Sequence, residues 1–192
     1  MAEAAHIAVV RRSPLDDKTL PASAGFTLAP APQAARFILR GDASVAGAAG
    51  AAFDVAIPMK SGAPGTKGGR TAIWLGPDEW LLIADGEEPA ALGATLEGAL
   101  KDQPHSLVDV SQRQLGVELS GPLARRALSA GCPLDLRDGP FPVGFATRTI
   151  LAKSEIVLWR REARSYRVEV WRSFADYVVD FLSEAARRAP PA

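Results

Sequence analysis

Hydrophobic and polar positions alternate most regularly over 107–186, and that stretch guides the reading of the rest of the chain. Leu115, Val117 and Leu119 take turns with Gln114, Gly116 and Glu118, the two-residue period of a half-buried strand. Gly121-Pro122 ends it and opens a short helix, because proline's fixed φ and missing N–H suit the first helical position. Leu123, Ala127 and Leu128 share a face of that helix, Gly131 stands where a left-handed C-cap is expected, and Pro133 prevents continuation. Three strands of an antiparallel meander follow at 145–152, 156–160 and 166–171, the last alternating Tyr166, Val168 and Val170 with Arg167 and Glu169. The period then becomes helical: Phe174, Tyr177, Val178, Phe181, Leu182 and Ala185 fall on one face, opposite Asp176, Asp180, Ser183, Glu184 and Arg187. Ser173 is placed to cap this helix and Asp176 to complement its dipole.

The same succession occurs earlier. Ala35, Phe37 and Leu39 alternate with Arg36, Ile38 and Arg40 as a strand, and Gly41-Asp42 caps a helix of small residues over 43–52. Residues 53–57 are extended as far as Pro58, after which SGAPGTKGGR reads as a flexible loop. Strands 71–75 and 79–84 flank Gly76-Pro77-Asp78, where proline fits the turn. Pro89 then opens a helix striped by Leu92, Leu96, Ala99 and Leu100 that stops before Pro104. Set side by side, the halves share one order of elements, which is an internal duplication. The expected fold class is therefore α+β, a mostly antiparallel sheet system with helices. It forms one domain over 34–188 from repeats 34–106 and 107–188. Residues 1–33, rich in Ala, Pro and charge without a sustained period, are expected to be an extended arm that serves assembly more than the fold.

Composition narrows the function classes. Of 192 residues, 22 are Lys or Arg and 22 are Asp or Glu, so no basic field points to nucleic acid or an anionic membrane surface. One cysteine and two histidines exclude a disulfide framework or a four-ligand zinc site from this chain alone and fit a reducing cytoplasm. Arg11-Arg12 precedes no apolar run, so a secretion signal is not expected, and 43–57 is too short and weakly hydrophobic to span a bilayer.

Candidate chemistry is thin. The loop 62–70 has glycines and a lysine, but Gly62 stands five residues before Lys67 with Gly-Gly-Arg after it, so it is not a phosphate cradle. Cys132 follows a helix C-terminus, where the dipole opposes a thiolate, and is expected to pack inertly. His6 and His105 lack partners in sequence and read as solvated. The acidic pairs Asp16-Asp17 and Glu87-Glu88 do not share a face, and the latter suits a helix N-terminus. Arg160, Arg161, Arg164, Arg167 and Arg172 cluster around the last hairpin and read as a solvated face, or as a patch for an acidic partner or phosphate. Trp74, Trp80, Trp159 and Trp171 fall in strands and are expected to pack in the core and between the halves. No catalytic, cofactor-binding or metal residue is assigned.

The segments VDVSQ, SGPLARRALSAGCPLDL, FPVGFATRTILAK and EVWRSFADYVVDFL, in this order, resemble the small gamma subunits of heterotetrameric sarcosine oxidases, as do Arg12-Ser13-Pro14-Leu15 and GPDEWLLIAD. Those subunits are similar in fold to the folate-binding part of glycine-cleavage aminomethyltransferases. There an Asn-Ala-x-Asn run and an acid follow the strand matching 79–83; here the chain reads Ile83-Ala84-Asp85-Gly86-Glu87 and contains no asparagine. The resemblance implies a non-catalytic subunit of an enzyme that oxidises the N-methyl group of sarcosine to give glycine. It would sit on the alpha subunit and, through it, meet beta and delta, with FAD, FMN, NAD and tetrahydrofolate held by other chains. A stand-alone folate-binding aminomethyltransferase-like protein, with Asp85 or Glu87 as its first candidate acids, and a generic interaction module remain the alternatives.

Overall fold

A computed structural model describes residues 12–23 and 25–189. In chain order its elements are β1 (Thr27–Pro30), β2 (Ala34–Arg40), α1 (Ala43–Phe53), β3 (Gly65–Lys67), β4 (Arg70–Gly76), β5 (Glu79–Asp85), α2 (Pro89–Leu100), β6 (Ser106–Asp109), β7 (Gln114–Ser120), α3 (Ala124–Ser129), β8 (Ala146–Leu151), β9 (Ser154–Glu162), β10 (Ser165–Trp171) and α4 (Ala175–Arg188). They build two five-stranded sheets, ordered β3-β4-β5-β2-β6 and β1-β7-β10-β9-β8, with every strand pairing antiparallel. The expected α+β class and antiparallel organisation are what the chain adopts.

The two-residue period explains the layering. Phe37 and Leu39 of β2 and Trp80 and Leu82 of β5 face α1 and α2, meeting Phe53, Leu96 and Leu100 in one core. Val117 and Leu119 of β7, Leu158 of β9 and Val168 of β10 face α3 and α4, meeting Leu128, Val178 and Leu182 in another. The opposite faces of the two sheets meet each other: Ile73, Leu81 and Ile83 pack with Ala146, Val157 and Trp159. Each central strand is thus buried on both sides, so its residues of either parity avoid water.

Local chemistry sets the element ends. The Asp42 carboxylate accepts the N–H groups of Ser44 and Val45 at 2.9 and 3.0 Å and caps α1. Asp54 closes that helix in the left-handed region. Pro89 opens α2, whose buried stripe is Leu92, Leu96 and Leu100; Ala99 is exposed. The 76–79 turn joins β4 to β5 as expected.

Several expectations are corrected. The run 61–70 is not all loop, because β3 pairs with β4 through a turn at Gly68-Gly69, whose φ of 56° and 85° only glycine adopts freely. Gly131 is not a left-handed cap; a Cβ there would lie 2.6 Å from the Phe181 ring, so the glycine serves the close approach of α3 and α4. Ser173 does not cap α4. It lies in a 3-10 turn, Arg172–Phe174, and the residue before α4 makes no side-chain cap. The buried face of α4 is Ala175, Val178, Val179, Leu182 and Ala186, leaving Phe174 and Tyr177 at 39% and 38% exposure. Trp171, just before the turn, is also exposed, whereas Trp80 is fully buried with Nε1 donating to the Pro58 carbonyl at 2.7 Å.

The expected arm is corrected as well, for the part described. Thr27–Pro30 pairs with 117–120 of β7 as an edge strand, and Leu15, Phe26 and Leu28 are buried in the α3–α4 core. The period was invisible because these three residues are spaced by turns and a four-residue strand. Residues 1–11, including His6, lie outside the described residues.

Two outcomes follow in urea unfolding of the full chain. Leu28→Ala removes a fully buried side chain and costs about 2–5 kcal/mol, where a non-structural arm would cost nothing. Val178→Asp, at 0% exposure, destabilises by more than about 3 kcal/mol, and Phe181→Asp, half-buried, by clearly less.

Candidate functional site

Between the two sheets the inward face of β2, β5 and β10 carries charge. Arg36 donates from Nε to Glu169 Oε2 at 2.6 Å; Arg167 donates from Nε to Glu169 Oε1 at 2.7 Å and, from both Nη atoms, to Asp85 at 2.9 Å. Arg36, Glu169, Arg167 and Asp85 therefore form an alternating chain across the sheet interface. The side chains of the first three are 4%, 1% and 2% exposed. Burial alone pushes the Glu169 carboxyl up, but the Arg36 and Arg167 guanidiniums outweigh it and hold it below the usual carboxylate range. Gly116 of β7 lies against this chain: a Cβ there would be 2.8 Å from Glu169 Oε1 and 2.7 Å from Ala31 Cβ. A second inter-sheet pair joins Arg148 of β8 to Glu79 of β5.

Above Arg36 opens a cleft of about 260 Å³, walled by 12–16, 30–36, 86–89, 111–116 and Arg172. Ser111 accepts the Arg36 N–H at 2.9 Å and donates to Asp109 at 2.5 Å. Gln114 is buried at the cleft with its Oε1 unpartnered among the described residues. Gly86 and Glu87 line this cleft with Asp85 next to them in the chain, and both acids of the segment are committed. Asp85 is held by Arg167, and Glu87 takes a bidentate grip from Arg70 at 2.6 and 2.7 Å that keeps its carboxyl low. Each of these acids thus has its oxygens engaged by an arginine.

The remaining candidates disperse. Glu88 precedes α2 without a side-chain cap, so the acidic pair is split between a backbone role and the Arg70 ion pair. His105 is not a solvated histidine: Nδ1 faces the Gln103 carbonyl at 2.8 Å and Nε2 the Glu97 carboxylate at 3.0 Å, and the first of these contacts raises its pKa. No imidazole therefore serves Ser111 as a base. Cys132 is buried in the α3–α4 core, with Sγ 3.9 Å from Thr149 Oγ1. Among the described residues no group of three or more His, Cys, Asp or Glu could hold a metal ion.

The basic cluster also disperses, correcting the expected solvated face. Arg167 belongs to the buried chain, Arg160 is 3% exposed, and Arg161 pairs with Glu118 and stacks on Trp159. Arg36 and its partner Glu169 were not singled out in the sequence, although one signal existed. A charged residue at the alternate position of two strongly apolar strands, with opposite sign on each, is the pattern of an internal ion pair.

Glu169→Gln leaves two buried guanidiniums short of a counter-charge and costs about 3–5 kcal/mol at neutral pH. Because the folded pKa is depressed, Glu169 stabilises the fold above its unfolded pKa of about 4.3, and that contribution is lost as pH falls through the folded value. Urea midpoints recorded from pH 7 downward then show the variant with the smaller acid-induced loss.

The chain matches the model of the sarcosine oxidase gamma subunit family over residues 40–188. It is 37% identical over 145 residues to sarcosine oxidase subunit gamma of Corynebacterium sp. (strain U-96), covering 76% of this chain and 68% of that one. Against the subunit gamma of Corynebacterium sp. (strain P-1), identity is 38% over 135 residues, 70% of this chain and 66% of that one. Among solved structures, a chain of heterotetrameric sarcosine oxidase from Corynebacterium sp. U-96, in complex with pyrrole 2-carboxylate, superposes with a TM-score of 0.84 at 32% identity. That match covers 95% of this chain and 99% of that one. Glycine cleavage system aminomethyltransferase T from Bartonella henselae shares the fold, with a TM-score of 0.61 at 12% identity over 85% of this chain and 49% of that one. The family model and these alignments agree over most of the chain: it belongs to the sarcosine oxidase gamma subunit family.

Proposed function

We propose that this chain is the non-catalytic gamma subunit of a heterotetrameric sarcosine oxidase, giving structural support to the large alpha subunit and, through it, beta and delta. One observation carries the reading: the chain follows nearly the whole length of one chain of a solved heterotetramer, at a similarity that extends well beyond fold. The site geometry supports it, since the candidate acids Asp85 and Glu87 are each paired with an arginine. On this reading FAD, FMN, NAD and tetrahydrofolate reside in the other subunits, which oxidise the N-methyl group of sarcosine to give glycine. This chain contributes no catalytic, cofactor-binding or metal residue. One domain of two repeats, 34–106 and 107–188, completed by the edge strand Thr27–Pro30, is the unit that assembles, and the cytoplasm is its compartment. No helix of the described residues is long and apolar enough to cross a membrane.

Co-expression with the alpha, beta and delta chains from the same source, followed by size exclusion and a sarcosine-dependent peroxide assay, tests the proposal. The expected result is a four-chain peak that turns over sarcosine, while the isolated chain shows no turnover and no calorimetric heat with tetrahydrofolate. Micromolar folate binding by the isolated chain would reassign it to the aminomethyltransferase-like class.

A further inference from the structure

Of the five arginines clustered in sequence around the last hairpin, Arg164 alone has no hydrogen-bond or ion-pair partner for its guanidinium among the described residues. The fold brings it to a second cluster that the sequence kept apart. Arg125 and Arg126 on α3, Arg160 on β9 and Arg164 in the β9–β10 turn surround a cleft of about 360 Å³, with Gly121, Pro122 and Ala163 as uncharged lining and Asp138 as its one acid. Two of these guanidiniums, Arg160 and Arg125, approach the Asp138 carboxylate, in a chain whose formal net charge is zero.

The interior of the cleft is built. Arg160, whose side chain is 4% exposed, donates to the Phe141 and Ala163 carbonyls at 2.7 and 3.0 Å and to Asp138 at 2.7 Å, and its Nε is buried without a partner. Asp138 itself is mostly exposed, and Arg125 approaches the same oxygen at 3.7 Å. The resident aspartate shows that guanidiniums here are spaced for a carboxylate. Its charge satisfies Arg160, which leaves the exposed Arg125 and Arg164 at the rim in excess. A broad basic field of the kind that captures nucleic acid is absent from the charge count, so the excess is local.

We infer that this cleft, between α3 and the β9–β10 turn, receives carboxylate side chains of an acidic segment on a partner polypeptide. The inference rests on the subunit reading and names the chemistry by which the assembly is recognised. Arginine forks suit planar carboxylates, and charges of this kind at an interface fix register and partner choice.

The test uses the full chain with its alpha, beta and delta partners. Affinity is measured by biolayer interferometry for wild type, R125E/R164E, and the charge-matched control K60E/K101E, whose lysines are exposed elsewhere. Reversal of the two rim arginines is expected to weaken assembly by at least about tenfold, with the control within about twofold and the thermal midpoint of each isolated chain unchanged. Equal affinities of R125E/R164E and wild type would overturn the inference while leaving the subunit reading standing. A wild-type chain that fails to assemble would overturn the subunit reading and this inference together. Inorganic phosphate at constant ionic strength should compete no better than chloride; selective competition by phosphate would reassign the cleft to a phosphate ligand.

Discussion

The burial of Arg36, Glu169 and Arg167 between the two sheets is the constraint on which the architecture depends. Each half of the chain makes a sheet with one apolar face covered by its own helices, and that alone would permit two separate layers. The other faces pack through Ile73, Leu81, Ile83, Ala146 and Val157, and their register is set where Glu169 accepts from an arginine of each sheet and Arg167 reaches across to Asp85. A buried ion pair adds little net stability, since desolvation offsets attraction, but an incomplete one is strongly unfavourable. The network therefore works chiefly by excluding alternatives: a slip of either sheet strands a charge in the interior.

That same arithmetic explains the silence of the cleft. A carboxylate that accepts a bidentate arginine has both oxygens engaged, and at Glu87 the Arg70 guanidinium also holds the carboxyl below its usual range. Asp85 and Glu87, the acids at the end of β5 and just beyond it, are both held in the scaffold through Arg167 and Arg70. The chain shares its fold with the aminomethyltransferase, and a fold by itself does not carry a function. What remains available at the surface is charge in a second cleft and the exposed rings of Trp171, Phe174 and Tyr177, rather than a reacting group.

Amino-acid order alone determined the α+β class, the antiparallel hairpins, the two helix starts at Asp42 and Pro89, and the duplication, because these rest on periods and turn residues that act over a few positions. The family resemblance was legible for the same reason: it lies in ordered local segments. Tertiary structure decided which polar strand faces are wet. Arg167 and Glu169 alternate with Tyr166, Val168 and Val170 as a solvated face would, and only the opposing sheet turns that face into an interior. It also decided which face of α4 is covered, since packing on α3 and the sheet buries Val179 and leaves Phe174 and Tyr177 exposed. And it placed β1, whose four residues carry too short a pattern to be seen but whose edge pairing with β7 joins the N-terminal segment to the C-terminal sheet. A period can report that a residue leaves one face of its element; it carries no information about what distant segment lies against that face, and that is where the ion network and the arginine cleft arise.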